Sequence, residues 1–242
     1  MKIKIIRFNS ELNNPNFTSE YTVNKSNLLQ ALIEIKTKYD NSLTFRCGCK
    51  SGVCGSCAVR VNGVEKLACK TIINENDLIE PIKNSHIIKD LVVDVSHETS
   101  LIAKMGLSID TDNDINKVAQ EDIMKIDLQS NCILCNSCYS SCPVYEVNKE
   151  FLGPFALTRA IRYVNDKKLV NKATILDSIQ INGIWDCTLC SACTLVCPQG
   201  IDPKADIIQL QNISVQNGYS NPNFNLNMTF QDDFSGFNPN GF

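Results

Sequence analysis

Cysteine is the residue type that most clearly indicates chemistry in this chain of 242 residues, because twelve of its 13 cysteines fall into three groups. Residues 132–143 read CILCNSCYSSCP and residues 187–198 read CTLCSACTLVCP, two copies of a C-x2-C-x2-C-x3-C-P run. The third group has C-x4-C-x2-C spacing and a later fourth member: Cys49, Cys54, Cys57 and Cys69. The runs are typical of bacterial-type [4Fe–4S] ferredoxins, and the third group of plant-type [2Fe–2S] ferredoxins. The spacing therefore predicts a chain that carries electrons.

Three ligand sets follow from the spacing. Soft thiolates suit iron–sulfide cores. In two-cluster ferredoxins the first three cysteines of a run bind one cluster, and the fourth, before the proline, binds the other. The N-terminal set, predicted to hold a [2Fe–2S] cluster, is Cys49, Cys54, Cys57 and Cys69. The first helical set, for a [4Fe–4S] cluster, is Cys132, Cys135, Cys138 and Cys197. The second helical set, for another [4Fe–4S] cluster, is Cys187, Cys190, Cys193 and Cys142.

Zinc is the competing metal, because four-cysteine zinc sites are also built from C-x2-C pairs. Triplets of cysteine, C-P endings and a plant-type loop in the same chain favour iron–sulfur clusters. Gly48, Gly52 and Gly55 lie between or beside the N-terminal ligands, where glycine lets backbone N–H groups face a negatively charged cluster. The sequence contains no nucleotide-binding loop and no Ser-His-Asp arrangement, so it gives little support for catalysis on a substrate.

Four residues that could bear on a metal site fall outside the sets. Cys47 fits no C-x4-C spacing, and we expect a small buried apolar residue beside the cluster, with a substitute ligand as the alternative. His86 and His97 are isolated, which favours surface or structural roles over ligation. Trp185 is expected to pack in the core and shield a cluster.

An α+β domain is expected over residues 1–95. Lys2–Phe8 alternates apolar and polar residues as a half-buried strand does, and apolar residues recur at helical spacing from Leu28 to Tyr39, after a possible N-cap at Ser26 or Asn27. The dipeptide at 62–63, Asn-Gly, predicts a hairpin. The other strands are predicted at 18–23, 58–61, 64–68 and 78–82.

The remainder of the chain predicts helices. Residues 96–114 are polar and predict a linker, and residues 115–213 predict an all-α domain with both C-P runs. Its helices are expected at 115–124, 154–164, 172–180 and 203–213. Residues 214–242 are rich in Asn, Gly and Phe and predict a disordered tail. The alternative is a segment that docks on a partner subunit through four phenylalanines: Phe224, Phe230, Phe234 and Phe237.

Composition excludes several classes of protein. A formal net charge of −3 gives no electrostatic reason to bind nucleic acid. No apolar stretch is long enough to span a membrane, and the N-terminal residues MKIKIIRFNS are too short and polar for a signal peptide. An odd number of cysteines without such a signal disfavours a disulfide framework and favours reduced thiols that bind metal.

Several segments together resemble the iron–sulfur subunit of succinate dehydrogenase and fumarate reductase. The resemblance runs from Met1 to about Ile213. It implies a β-grasp plant-type ferredoxin domain followed by an all-α bacterial-ferredoxin-like domain. The segments that carry it are TFRCGCKSGVCGSCAVRVNG, HIIKDLVVD, CILCNSCYSSCP, FLGPFALTRAIRY and WDCTLCSACTLVCPQGIDP.

The resemblance also implies partners. A flavoprotein subunit would carry FAD and interconvert succinate and fumarate, so no substrate chemistry would occur in this chain. Electrons would pass between that FAD and a quinone-linked subunit through three clusters, in either direction. The complex would lie peripheral to the inner (cytoplasmic) membrane, on its cytoplasmic side by default or on the periplasmic side if the flavoprotein carried this chain across.

Two departures from the common members of that family bear on the third cluster and on the quinone site. Those members have a non-cysteine residue at the position of Cys190 and a [3Fe–4S] cluster; here Cys190 predicts a second [4Fe–4S] cluster, at lower potential. Their quinone-site residues are also missing, because Glu146 and Val147 stand where tryptophans occur and Thr188 where a histidine does. Both features resemble an unconventional branch whose anchor is a peripheral cysteine-rich subunit with CCG motifs.

Two other functions fit the sequence less well. The iron–sulfur subunit of another flavin-dependent dehydrogenase would lack the plant-type loop and carry its own CCG domain. A thiol-linked fumarate reductase would carry fused CCG repeats, and this chain contains none.

Overall fold

The structure is a computed structural model that describes residues 1–109, 118–169 and 171–222. Its N-terminal half is built on a mixed five-stranded sheet in the order β2-β1-β5-β3-β4. β1 is antiparallel to β2 and parallel to β5, and β3 is antiparallel to both β4 and β5. The strands are β1 Lys2–Phe8, β2 Asn16–Thr22, β3 Ala58–Val61, β4 Val64–Leu67 and β5 Asp77–Glu80.

One helix packs on this sheet to form the first core. The predicted strand at Lys2–Phe8 is confirmed, and its alternation buries Ile3 and Ile5 completely. Helix α1, Leu28–Lys38, begins after Asn27, whose side chain accepts a hydrogen bond from the backbone N–H of Gln30 at 3.2 Å. This N-cap satisfies one of the free donors at the start of the helix.

The predicted Asn-Gly hairpin is confirmed as well. Asn62 and Gly63 both have positive φ, at 51° and 81°, as a two-residue turn that matches strand twist requires. A second hairpin was not predicted: β6 His86–Lys89 pairs with β7 Val92–Asp94. Its turn contains Asp90, at φ 47° and fully buried, which accepts hydrogen bonds from Arg7 at 2.9 and 3.0 Å.

The second half is helical around a separate apolar core. The core includes Leu101, Phe155, Ile161, Ile207 and Leu210. Its helices are α2 Ser96–Lys104, α3 Gln120–Met124, α4 Asp127–Ser130, α5 Ser137–Ser140, α6 Pro143–Val147, α7 Pro154–Val164, α8 Ala173–Ser178, α9 Ala192–Leu195 and α10 Pro203–Gln216.

Each of the four predicted helical ranges overlaps a helix of the structure. The prediction at 154–164 is confirmed, and α8 lies inside the range 172–180. α3 begins at Gln120, five residues later than predicted; residues 115–117 of that prediction lie outside the described residues. α10 extends three residues past the predicted end, with Ser214 fully buried. α2 lies within the segment predicted as a linker.

The tail is described only as far as Pro222. The four phenylalanines considered for partner docking, Phe224, Phe230, Phe234 and Phe237, lie outside the described residues. Within the described ranges, no helix has the length and apolarity needed to cross a bilayer.

Buried and partly buried polar contacts join the two halves. Ser140 Oγ donates to Glu65 Oε1 at 2.7 Å and accepts from the backbone N–H of Lys83 at 2.7 Å. Asn84 Nδ2 donates to the carbonyl of Tyr139 at 2.9 Å. Because buried polar groups are costly to leave unpaired, these contacts fix how the helical half sits on the sheet.

Candidate iron–sulfur centres

The N-terminal set gathers around an exposed loop and the base of the β3–β4 hairpin. Cys57 directly precedes β3 and Cys69 follows β4, so strand pairing brings these two buried cysteines together. The backbone N–H of Ala68 donates to the carbonyl of Cys57 at 3.0 Å. Burial raises the pKa of the Cys57 thiol to about 11.

The loop before the hairpin aims backbone N–H groups at sulfur. Those of Ser51 and Val53 each lie 3.4 Å from Cys49 Sγ. The N–H of Cys49 lies 3.4 Å from Cys54 Sγ. Hydrogen bonds from Ser51, and then from Val53, lower the pKa of the Cys49 thiol to about 6. Donors that stabilise a thiolate before any metal is bound suit a site for a negatively charged cluster.

Cys47 lies elsewhere than expected. It was predicted to be a small buried residue, but its side chain is exposed, as are those of the residues from Arg46 to Ser51. The prediction was wrong because this stretch wraps the outside of the loop, so a cysteine two residues from Cys49 faces solvent.

The first helical set surrounds one cavity. Its walls include all four cysteines of the set, Cys132, Cys135, Cys138 and Cys197. Phe155 and Thr158 of α7 and Pro203 of α10 complete the apolar lining. Burial raises the pKa of Cys138 well above its ordinary value, with nearby thiols adding to the effect. Arg159 Nη2 donates to the carbonyl of Cys132 at 3.2 Å.

The second helical set surrounds another cavity, lined by its four cysteines, Cys142, Cys187, Cys190 and Cys193. Pro154 at the start of α7 and Lys204 in the first turn of α10 also line it. The N–H of Leu189 lies 3.4 Å from Cys187 Sγ, and that of Tyr145 lies 3.5 Å from Cys142 Sγ. Cys190 is exposed, whereas burial raises the pKa of Cys193 to about 12.

The two C-P runs fold as a structural repeat. Leu134 and Leu189, each two residues after the first cysteine of its run, have φ of 52° and 55°. Asn136 and Ser191, two residues further on, have φ of 63° and 68°, and a short helix follows each. A bulky residue at positive φ is strained, and such strain concentrates at functional sites. The repeated strain marks both loops as built to curl around a bound group.

Groups outside the sets have structural partners. Trp185 is half-buried against the helical core and donates through Nε1 to Gln180 Oε1 at 2.8 Å. His97 Nδ1 lies 2.8 Å from the hydroxyl of Tyr145, and His86 is exposed on β6. Within the described ranges, no three His, Cys, Asp or Glu side chains converge closely enough to share one metal ion. The cysteines line cavities instead.

The N-terminal site lies against the first helical site. Gly55 of the N-terminal loop is so close to the first helical set that an added Cβ would lie 2.8 Å from Cys135 Cβ and 2.9 Å from Cys135 Cα. Gln199, two residues after Cys197, donates to the carbonyl of Gly52 at 2.9 Å. Spacing could not foresee these contacts, although a glycine among the ligands was a signal for close backbone approach.

Two family models match separate parts of the chain. Residues 2–100 match a 2Fe-2S iron-sulfur cluster binding domain, and residues 129–201 match a 4Fe-4S dicluster domain. The chain is therefore an iron–sulfur protein with both domain types.

Similar proteins that match most of the chain show which class of iron–sulfur protein it is. The fumarate reductase iron-sulfur subunit of Haemophilus influenzae is 36% identical over 232 residues, covering 86% of this chain and 91% of the relative. The 8-methylmenaquinol:fumarate reductase iron-sulfur subunit of Wolinella succinogenes is 33% identical over 241 residues, covering 90% of this chain and 74% of the relative. This chain belongs to the family of fumarate reductase and succinate dehydrogenase iron–sulfur subunits, whose role is electron transfer.

A solved structure has the same fold. It is a chain of the Mycobacterium smegmatis Sdh1 complex in the apo form, with a TM-score of 0.79 at 23% identity. The match covers 90% of this chain and 97% of that chain.

Proposed function

We propose that the three cysteine sets bind three clusters: a [2Fe–2S] in the N-terminal set, a [4Fe–4S] in the first helical set and a second [4Fe–4S] in the second helical set. The observation that carries this proposal is that each helical cavity is lined by one complete set, with cysteines from both runs. The mixed sheet with a parallel β1–β5 pair fits a β-grasp plant-type ferredoxin domain, and the repeated loops fit a bacterial-ferredoxin-like domain.

Such clusters supply one-electron transfer, and the residues of this chain supply position and environment. The N–H groups of Ser51, Val53 and Leu189 stabilise ligand thiolates. Apolar side chains line the walls beside the cysteines, such as Phe155 at the first helical cavity and Phe151 at the second. The contact between Gly55 and Cys135 brings the N-terminal and first helical sites close together, and Cys138 interacts electrostatically with Cys193 of the second. These contacts give the three proposed clusters a path for electrons through the described part of the chain.

In this proposal the N-terminal site exchanges electrons with the FAD of a partner flavoprotein that interconverts succinate and fumarate. The second helical site exchanges them with a membrane-anchoring subunit that is linked to quinone. The exposure of Cys190 at that far end suits a site that passes electrons to a partner. The Wolinella relative, whose name includes 8-methylmenaquinol, supports a quinone-linked partner.

The anchor that we propose is a peripheral cysteine-rich CCG-type protein. This follows from Cys190, and from Glu146, Val147 and Thr188 at positions where the common family members place quinone-site residues. The complex would then lie peripheral to the membrane, on the cytoplasmic side by default.

Low-temperature EPR of the anaerobically purified full chain, with iron and sulfide quantified, tests the cluster assignment. Oxidised [2Fe–2S] and [4Fe–4S] clusters are silent, whereas an oxidised [3Fe–4S] cluster is paramagnetic. We expect a silent oxidised sample that gives three interacting signals on reduction. A strong signal in the intact oxidised protein would show that the second helical set holds [3Fe–4S] without Cys190 as a ligand.

A further inference from the structure

The two helical cavities differ in the cation placed beside each. At the first, the guanidinium of Arg159 binds the backbone carbonyl of Cys132 at 3.2 Å. At the second, Lys204 itself lines the cavity, and its Nζ donates to Ser191 Oγ at 3.1 Å. Ser191 lines the same cavity and directly follows Cys190. The hydroxyl therefore holds the ammonium group at the residue that follows Cys190, in the wall of the same cavity.

We infer that Lys204 is a positioning residue that raises the reduction potential of the second helical centre by offsetting the negative charge of the Cys190 thiolate. The inference rests on the proposed function, because it takes a four-thiolate cluster at this site as given. A fixed positive charge favours the reduced, more negative state of a nearby centre, and it acts most strongly in a cavity with apolar walls. Lys204 lies within the first turn of α10, whose N-terminal N–H groups contribute in the same direction.

Two other charges lie near the site. Lys149 does not line the cavity: its Nζ donates to the carbonyl of Asn84 at 3.0 Å and lies 4.4 Å from the centre of the Tyr145 ring. Its charge acts against the rise that burial causes in the pKa of Cys142, but Lys204 is the charged residue among those that line the cavity. Asp202 does not line the cavity and is the N-cap of α10, accepting from Thr194 Oγ1 and from the N–H of Ala205. The hydrogen bond from Thr194, and to a smaller extent the charge of Lys204, lower the pKa of this carboxyl. In support, burial raises the pKa of Cys187, and the charge of Lys204 acts against that rise.

The experiment is an anaerobic redox titration of the full iron-loaded chain. EPR spectra recorded at each potential measure each centre separately. Lys204→Met removes the charge at similar length. We expect the equilibrium constant for reduction of the second helical centre to fall about tenfold, which is 59 mV for one electron, with the first helical centre unchanged. Lys204→Gln keeps a polar group within reach of Ser191 and gives the same shift, whereas Lys204→Arg keeps the charge and stays near the unmodified value.

A matched variant at the other site completes the design. Arg159→Gln removes the cation of the first helical site, and we expect its centre alone to shift. No shift in Lys204→Met and Lys204→Gln, equal shifts of both centres, or the same shift in Lys204→Arg would each overturn the assignment to charge. Iron and sulfide too low for two four-iron clusters in the unmodified chain would instead refute the proposed function, and this inference with it.

Discussion

Alanine at position 55 tests whether the N-terminal loop and the first helical set touch as the structure shows. Gly55 has φ of 71°, where an L-residue costs about 1–2 kcal/mol. Its added Cβ would lie 2.8 Å from Cys135 Cβ, and relief to the roughly 3.5 Å of ordinary contact needs a movement of about 0.7 Å. Overpacking of this kind costs about 1–3 kcal/mol more.

Gly52 provides the matched control. It lies in the same loop with φ of 86°, so alanine there carries a similar backbone cost. The three atoms nearest to its added Cβ would all belong to the side chain of Lys70, the closest being Cε at 2.7 Å, and that flexible chain can move aside. Gly55→Ala should therefore be less stable than Gly52→Ala by about 1–3 kcal/mol, the overpacking cost alone. For a chain of this size the apparent denaturation midpoint falls by about 2–12 °C more.

The assay pairs thermal denaturation of the iron-loaded full chain with EPR of its reduced form. Separation of the two loops in Gly55→Ala weakens the magnetic interaction between the N-terminal and first helical centres. In Gly52→Ala that interaction stays as in the unmodified chain. Equal midpoints for the two variants, or an unchanged interaction in Gly55→Ala, would refute the contact between Gly55 and Cys135.

Three further outcomes are expected. Cys190→Ser should convert the second helical centre toward a three-iron form while the other two remain, as seen by EPR; equal loss of all three would contradict the ligand sets. Cys47→Ala should leave the [2Fe–2S] absorption and EPR spectra unchanged, and their disappearance would make Cys47 a ligand. Ser140→Ala should cost about 1–3 kcal/mol in denaturant unfolding, because Glu65 loses a buried donor; no measurable loss would show that this contact does not hold the halves together.

Local patterns predicted the elements that local forces build. Lys2–Phe8 alternates and is a strand, the helix at 154–164 has a proline at its first position, and Asn62-Gly63 forms the turn its residues favour. These elements were predictable because periodicity and turn chemistry agree with the final packing.

Other elements depend on distant partners and were missed. The β6–β7 hairpin turns at Asp90, which is held at positive φ by Arg7 from β1 and by the N–H of Thr44. Leucine at 134 and 189 carries no sequence signal for positive φ, because the conformation is imposed by the surrounding loop. Cysteine spacing predicted which cysteines lie around each helical cavity. The contact of Gly55 with Cys135 and the place of Lys204 could be seen only in the folded structure.

The interleaving of the two runs has a consequence for biosynthesis. In the proposed sets, the N-terminal site is complete once residue 69 has been made, so its cluster can be inserted while the ribosome is still at work. Each helical cavity is lined by cysteines from both runs, and the set around the first cavity is complete only when Cys197 has been made. Neither helical set is complete until the second run has been made, so a product truncated before residue 187 would keep at most its [2Fe–2S] cluster. We therefore expect the [2Fe–2S] cluster to be the first that can be inserted, because its cysteines are made before either helical set is complete.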